Sequence, residues 1–311
     1  MYDVIIIGGG PAGLNAALFL GRCRRKVLVL DSGKPRNFHT KAMHGYLSRD
    51  GIKPLEFLNI GAEELKKYDV KKMQTEVNRI DKTETGFEIT NNEGEKFYSK
   101  KLLIATGIKD NIPEIEGIEE FYGKSVFHCP YCDGWEVKDK SLCVYAKGKA
   151  AFALSVSLLN WSEDVILCTD GISRLTALER EELKLLGIKI FSQKIRCLEG
   201  TDGQLERIVF VNGESIDRDA LFFSAGQRQH SPLAEQLGCK FGYKSFYVTN
   251  RKQQTNVKGA YVAGDVTKDV KFVIVAAAEG ARAAVAINIE LQDEEKEKRL
   301  FKARSSLKTL S

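Results

Sequence analysis

The chain has 311 residues, 43% hydrophobic and 29% charged, with a formal net charge of +5. That length suits two domains, and the lysine excess is scattered rather than blocked, which argues against nucleic acid as a partner. No apolar run approaches the roughly 18 residues of a membrane span, and the N-terminus lacks the basic and cleavage features of a signal peptide, so a cytoplasmic protein is expected.

Residues 1–31 read as one strand–turn–helix–strand unit. Val4-Ile5-Ile6-Ile7 is apolar on both faces, as buried parallel strands are. Gly8-Gly9-Gly10-Pro11-Ala12-Gly13 follows, a G-x-G-x-x-G with Gly8, Gly10 and Gly13 in the key places. A helix is expected over Leu14–Gly21, then a second strand, Val27–Leu30, ending on Asp31. Gly8 permits a tight turn, Gly10 lets the backbone approach a pyrophosphate, and Gly13 permits close helix–strand packing. Asp31 is spaced to accept a hydrogen bond from a ribose hydroxyl. With all these parts in register the motif predicts a dinucleotide site.

Leu102-Leu103-Ile104 reads as a third buried strand, ending in the small-residue turn Ala105-Thr106-Gly107. His128-Cys129-Pro130-Tyr131-Cys132-Asp133 follows. Two thiols at C-x-x-C spacing can close and reopen a disulfide, and Asp133 can supply or take the proton that exchange needs. Zinc would need a second ligand pair at suitable spacing, and none is visible, so no metal is expected. His128 either lowers a thiol's proton affinity or points away. The other five cysteines read as small buried residues, and the odd count does not suggest a disulfide framework.

From Lys138 the βαβ pattern recurs: a strand at Leu142–Tyr145, a helix at Ala150–Leu159, and a strand at Asp164–Cys168. The intervening loop reads Ala146-Lys147-Gly148-Lys149-Ala150-Ala151, so the first glycine of a G-x-G-x-x-A pattern is Ala146. Ala260-Tyr261-Val262-Ala263-Gly264-Asp265 forms another strand and turn. An Ala-rich helix is expected from Phe272 to Leu291, and a charged run at Gln292–Arg299 continues it as a solvated or frayed end. The start of that helix, at Phe272-Val273, can face an electron-rich carbonyl.

These motifs, in this order, resemble low-molecular-weight thioredoxin reductases of the FAD-dependent pyridine nucleotide-disulfide oxidoreductase superfamily, up to about residue 291. The Cys-Pro-Tyr-Cys motif is similar to a branch holding dithiol oxidases as well as reductases. The resemblance implies an α/β fold with two Rossmann-like three-layer domains, the second (118–243) inserted into a discontinuous FAD domain (1–117 and 244–311). It implies that Gly8, Gly10, Pro11, Ala12, Gly13 and Asp31 hold the ADP half of FAD. Ala105, Thr106 and Gly107 would line the site, Gly264 and Asp265 would meet the ribityl chain, and Phe272 and Val273 would lie near the flavin. Cys129 and Cys132 would be the redox disulfide, Cys132 nearer the flavin, with Asp133 moving the proton.

The resemblance also implies NADPH in the second domain. There Ala146 replaces a turn glycine, and Asp170, in Thr169-Asp170-Gly171, would repel a 2′-phosphate where relatives carry basic residues. Lys147 and Lys149 favour phosphates, so a decayed nucleotide site and an altered NADPH loop both stay open. The expected partners are a thioredoxin-like protein or a small dithiol or disulfide, with ferredoxin as a candidate donor and a homodimer implied by likeness. Two alternatives stand beside the reductase: a dithiol oxidase that uses oxygen, and a flavin redox sensor without turnover.

Overall fold

The computed structural model describes residues 1–242, 246–267 and 270–308. The chain divides into two compact units: Met1–Arg36, Leu55–Lys109 and Arg228–Ser311 form the first, and Asn37–Pro54 with Asp110–Gln227 form the second. The second unit thus begins at Asp110 and also takes in Asn37–Pro54. The boundary expected between residues 243 and 244 lies outside the described residues.

In chain order, the first elements are β1 (Tyr2–Ile7), α1 (Pro11–Arg22), β2 (Val27–Asp31), α2 (Pro54–Leu65), β3 (Val70–Gln74), β4 (Val77–Lys82), β5 (Phe87–Asn91), β6 (Lys96–Ile104) and β7 (Ile108–Asp110). Next come α3 (Ile118–Phe121), β8 (Val126–Phe127), α4 (Pro130–Asp133), β9 (Leu142–Tyr145), α5 (Gly148–Leu158), β10 (Val165–Cys168), α6 (Ala177–Leu185) and β11 (Lys189–Phe191). The chain closes with β12 (Ile195–Thr201), β13 (Gln204–Phe210), β14 (Ser215–Asp217), β15 (Ala220–Phe223), β16 (Gln227–Gln229), α7 (Leu233–Gln236), β17 (Ala260–Val262) and α8 (Val273–Lys308).

The first unit is built on a sheet of order β3-β2-β1-β6-β5-β4, with β17 also paired to β6. β1 pairs in parallel with β2 and β6, so Val4, Ile5 and Ile6 are wholly buried. Apolar clusters cover both faces. One joins Val4, Ile6 and Val29 to α1 and α8; the other joins Ile5, Leu28 and Leu102 to Phe87 and Leu233. α1 starts three residues earlier than expected because Pro11 occupies its first turn, where a missing N–H costs nothing. Its buried face is small (Ala12, Gly13, Ala16, Ala17), which lets α8 approach until a Cβ on Gly280 would lie 2.0 Å from the Ala12 carbonyl oxygen.

α8 runs far past Leu291, and ion pairs fix its middle. Lys101, buried on β6, reaches Glu290 at 2.5 Å and Glu294 at 2.6 Å, and Arg25 reaches Glu295 at 2.5 Å. Tyr261 donates its hydroxyl to Glu290 as well. The charged run is therefore helical, and its first residues are tied to the body of the unit.

The second unit holds a parallel sheet of order β11-β10-β9-β15-β8 and an antiparallel sheet of order β12-β13-β14. α5 and α6 cover one face of the parallel sheet through Ala151, Leu154, Leu158 and Leu183. The antiparallel strands cover the other through Ile195, Ile208 and Phe210. α6 opens on a capping box in which Thr176 and Glu179 satisfy each other's backbone N–H groups. Among the described residues no helix is long and apolar enough to cross a membrane.

Candidate functional site

The dinucleotide loop sits between β1 and α1 in the first unit. Gly8 has φ +108, and a Cβ there would lie 2.2 Å from the Ala105 carbonyl oxygen, so only glycine fits. A Cβ on Gly13 would lie 1.9 Å from the Gly8 carbonyl oxygen. Gly10, by contrast, has an ordinary φ of −74 and nothing within 4 Å of a built Cβ. Its missing side chain leaves open space at the mouth of α1, where unpaired N–H groups carry partial positive charge.

Asp31, at the end of β2, accepts from the Gly9 N–H at 3.1 Å and faces Lys72 Nζ at 3.2 Å. Thr106, after β6, has a buried hydroxyl with no hydrogen-bond partner within the protein. Gly264 packs against Ala12, and its N–H donates to Glu279 Oε2 at 2.7 Å. Asp265 next to it is bonded by Arg36 at 3.0 Å. Gly8, Gly10, Pro11, Ala12, Gly13, Asp31, Ala105, Thr106, Gly264 and Asp265 thus come together around one loop. Gly107 lies in the turn after β6, and Phe272 and Val273 form the entrance to α8. The open cradle at Gly10 and the orphaned Thr106 hydroxyl fit a bound dinucleotide such as FAD.

Sequence reasoning missed Glu279. It is a buried carboxylate on α8 that holds both the Gly264 N–H and the Thr267 hydroxyl, so it fixes the turn that carries Asp265. An acid amid the alanines of that helix was the available signal.

The cysteine pair belongs to the second unit. Cys129 caps the single helical turn α4, with Pro130 in the first helical position. Its carbonyl accepts from the N–H groups of Cys132 and Asp133, each at 3.2 Å, so the turn holds both thiols on one side. The two are not joined by a disulfide in this structure. A hydrogen bond from Cys132 lowers the proton affinity of Cys129, against burial and the charge of Asp133, which raise it. Asp133 is pushed up to about 7, first by burial and then by Glu136, while His44 pulls it down. The pair therefore has a stabilised thiolate beside a carboxyl that can hold a proton near neutrality.

His128 Nε2 lies 3.8 Å from Asp110, and its ring packs against Tyr122 and Phe223. Tyr131, between the cysteines, is exposed and meets Trp161 edge-on at 5.8 Å. These two rings, with Val156, Ser157, Leu159 and Asn160, line an open cavity of about 550 Å³.

The second loop differs from the first. Ala146 is not left-handed; the positive φ, +61, falls on Gly148, the third position of the motif instead of the first. Lys147 pairs with Asp170 at 3.8 Å, and Tyr145 donates its hydroxyl to Asp170 and is itself pushed up to about 12, chiefly by burial. Among the described residues no cluster of metal-ligating side chains exists.

Comparison with known proteins shows the family. The family model described as pyridine nucleotide-disulphide oxidoreductase matches residues 2–280. Thioredoxin reductase tcpT of Claviceps purpurea is 32% identical over 85% of this chain and 86% of its own. Thioredoxin reductase aclD of Aspergillus oryzae is 30% identical over 96% of this chain and 99% of its own. The crystal structure of HlmI is 31% identical with a TM-score of 0.92, covering 100% of this chain and 98% of that one. The chain belongs to the pyridine nucleotide-disulphide oxidoreductase family, and within it to the thioredoxin reductase-like, flavin-dependent disulfide oxidoreductases.

Proposed function

We propose that the protein exchanges two electrons between bound FAD and a substrate dithiol or disulfide through Cys129 and Cys132, with Asp133 as proton donor and acceptor. The observation that carries this reading is the pairing of a thiol lowered by its neighbour with a carboxyl raised to about 7, one residue past the second cysteine. FAD supplies the two-electron store. Gly8, Gly10, Pro11, Ala12 and Gly13 hold its pyrophosphate, Asp31 a ribose, and Asp265 the ribityl hydroxyls. Thr106 donates its hydroxyl to the same ligand, and Phe272 and Val273 flank the ring system. Cys132 would be the thiol that exchanges electrons with the flavin and Cys129 the one that meets the substrate.

The donor in this reading is not NADPH. The second loop carries its left-handed residue at the wrong position, and Asp170 stands where a 2′-phosphate would need a cation. Lys147 is neutralised by the same Asp170. Electrons then arrive from a carrier such as ferredoxin and leave to a thioredoxin-like protein, or they arrive from a dithiol and leave to oxygen. The exposed Tyr131 ring, between the two cysteines in sequence and edge-on to Trp161, favours the second route, because it offers an aromatic surface to a small dithiol. The active form is a cytoplasmic homodimer in either case.

Anaerobic titration of the holoprotein tests this. NADPH is expected to leave the flavin absorbance unchanged, whereas a dithiol bleaches it and air restores it. Bleaching by NADPH at turnover speed overturns the donor assignment. Reduced ferredoxin bleaching the flavin, followed by thioredoxin reduction, selects the carrier-fed reductase. Reduction by a dithiol without any turnover leaves the sensor. Full turnover in both Cys129→Ser and Cys132→Ser overturns the disulfide route.

A further inference from the structure

The second unit takes in a segment, Asn37–Pro54, that contributes nothing to its sheets. The segment is an irregular loop closed on itself. Met43 and Ile52 form an antiparallel bridge, with the Met43 N–H donating to the Ile52 carbonyl at 2.8 Å. Inside it, the Gly45 N–H donates to Asp50 Oδ1 at 2.8 Å. That closure presents one side chain, His44. Its Nδ1 lies 3.5 Å from Asp50 Oδ1 and its Nε2 lies 3.4 Å from Glu136 Oε1.

Both ring nitrogens therefore face carboxylates, so the ring is held from two sides. His44, at 22% exposure, is the least exposed of the three and sits between Asp50 at 68% and Glu136 at 39%. Glu136 is three residues from Asp133, and both Glu136 and His44 act on the Asp133 charge. Among the described residues, the cluster joins Asp50 and His44 from the loop to Glu136, and Asp133 feels the charges of His44 and Glu136.

We infer that His44 is a positioning residue for the thiol exchange: its ring, held between Asp50 and Glu136, holds the Glu136 carboxylate beside Asp133 and governs proton delivery to the thiols. This rests on the role proposed for Asp133. In the reducing direction the Cys129 thiolate attacks a substrate disulfide. The substrate S–S bond breaks, a Cys129–substrate disulfide forms, and the leaving thiolate takes the Asp133 proton. The Asp133 carboxylate takes the Cys132 thiol proton as Cys132 attacks Cys129, the Cys129–Cys132 disulfide forms, and the second substrate sulfur leaves as a thiolate that solvent protonates. The cysteine pair is oxidised and the substrate reduced by the same two electrons, and Asp133 ends the sequence protonated. The oxidising direction runs the same steps backwards.

The two neighbours of Asp133 carry opposite charges, so their removal has opposite consequences. The test is the pH dependence of dithiothreitol oxidation by the holoprotein, paired with the pH dependence of iodoacetamide alkylation of the reduced cysteines, which does not depend on turnover. In His44→Gln the limb governed by Asp133 is expected to move up by about one unit, and in Glu136→Gln to move down by about one unit. The double variant should return toward wild type. Unshifted profiles in both single variants, or shifts in the same direction, overturn the inference. A merely structural His44 would lower the rate at every pH without moving the limb. If His44→Gln fails to fold, the Glu136→Gln profile alone decides, since a limb that does not fall removes the counterbalance. Cys132→Ser separates the two levels: exchange surviving in that variant sinks the proposed function, whereas loss of exchange with unmoved limbs sinks the His44 inference alone.

Discussion

Arg36 Nη1 donates to Asp265 Oδ2 across 3.0 Å, and both side chains are largely buried, at 17% and 20% exposure. The bond ties the stretch after β2 to the turn before α8, so the carboxylate assigned to the ribityl chain is pre-set by a cation more than two hundred residues upstream. Asp265→Ala is expected to release flavin on gel filtration. Arg36→Ala should retain flavin but bind it about tenfold more weakly, the loss of one charge-assisted hydrogen bond. Fluorescence of released flavin measures both, and unchanged affinity in Asp265→Ala counts against the assignment.

Gly10 and Gly13 separate ligand binding from folding. A Cβ at Gly13 collides with the Gly8 carbonyl, whereas a Cβ at Gly10 meets nothing in the protein. Gly10→Ala should fold with an unchanged melting temperature in the flavin-free state and lose most of its FAD affinity. Gly13→Ala should lose stability whether or not FAD is added. A Gly10→Ala variant that binds FAD normally would show that no pyrophosphate approaches there.

Asp133 links pH to stability with a definite sign. Its carboxyl is raised from 3.8 to about 7, so the folded state holds a proton that the unfolded chain releases. The stabilisation is fully present below about 3.8 and is lost as pH rises through about 7. Between those values the reduced protein should become less stable, and Asp133→Asn should flatten the slope. At pH 8 the variant should melt higher, by about 2–4 °C for each kcal/mol recovered. Its thiol exchange should fall by about 10²-fold or more. An equal melting temperature at pH 4 and pH 8 in wild type would contradict a buried, raised carboxyl.

Restoring the missing glycine should not restore a nucleotide site. Ala146 already sits in an ordinary backbone region, and the left-handed residue is Gly148. Ala146→Gly is therefore expected to show no faster flavin reduction by NADPH than wild type in stopped flow, because Asp170 still occupies the end of β10. A large acceleration would mean that one methyl group had been the obstacle.

Much of this was legible in the residues. The strand at Leu142–Tyr145 falls where periodicity put it, and the strand expected at Asp164–Cys168 runs from Val165. Both are short runs buried on two faces, where β-branched composition and flanking turns agree. The glycine loop was legible because its constraints are local: Gly8 and Gly13 answer to backbone within the same βαβ unit or the adjoining strand end. Gln292–Arg299 was read as a solvated or frayed continuation of α8; the helix runs on to Lys308, and Glu294 and Glu295 in that run are held by Lys101 and Arg25, partners that are remote in sequence. His44 was illegible for the same reason, and Glu279 showed only as an acid amid alanines, its role unreadable. Each matters through a neighbour that only the folded chain supplies, and a single histidine or glutamate has no pattern of its own.

The loop Asn37–Pro54 also decides how the protein can be cut. The chain passes between its two units at residues 36/37, 54/55, 109/110 and 227/228. A contiguous fragment spanning Asp110–Gln227 would carry Cys129, Cys132 and Asp133 but strand His44 in the discarded portion. Glu136 would then act on Asp133 unopposed, and the excised piece would exchange thiols on a pH schedule unlike that of the parent. Grafting this redox module onto another scaffold thus means transplanting two pieces of chain, and the smaller one carries no cysteine at all.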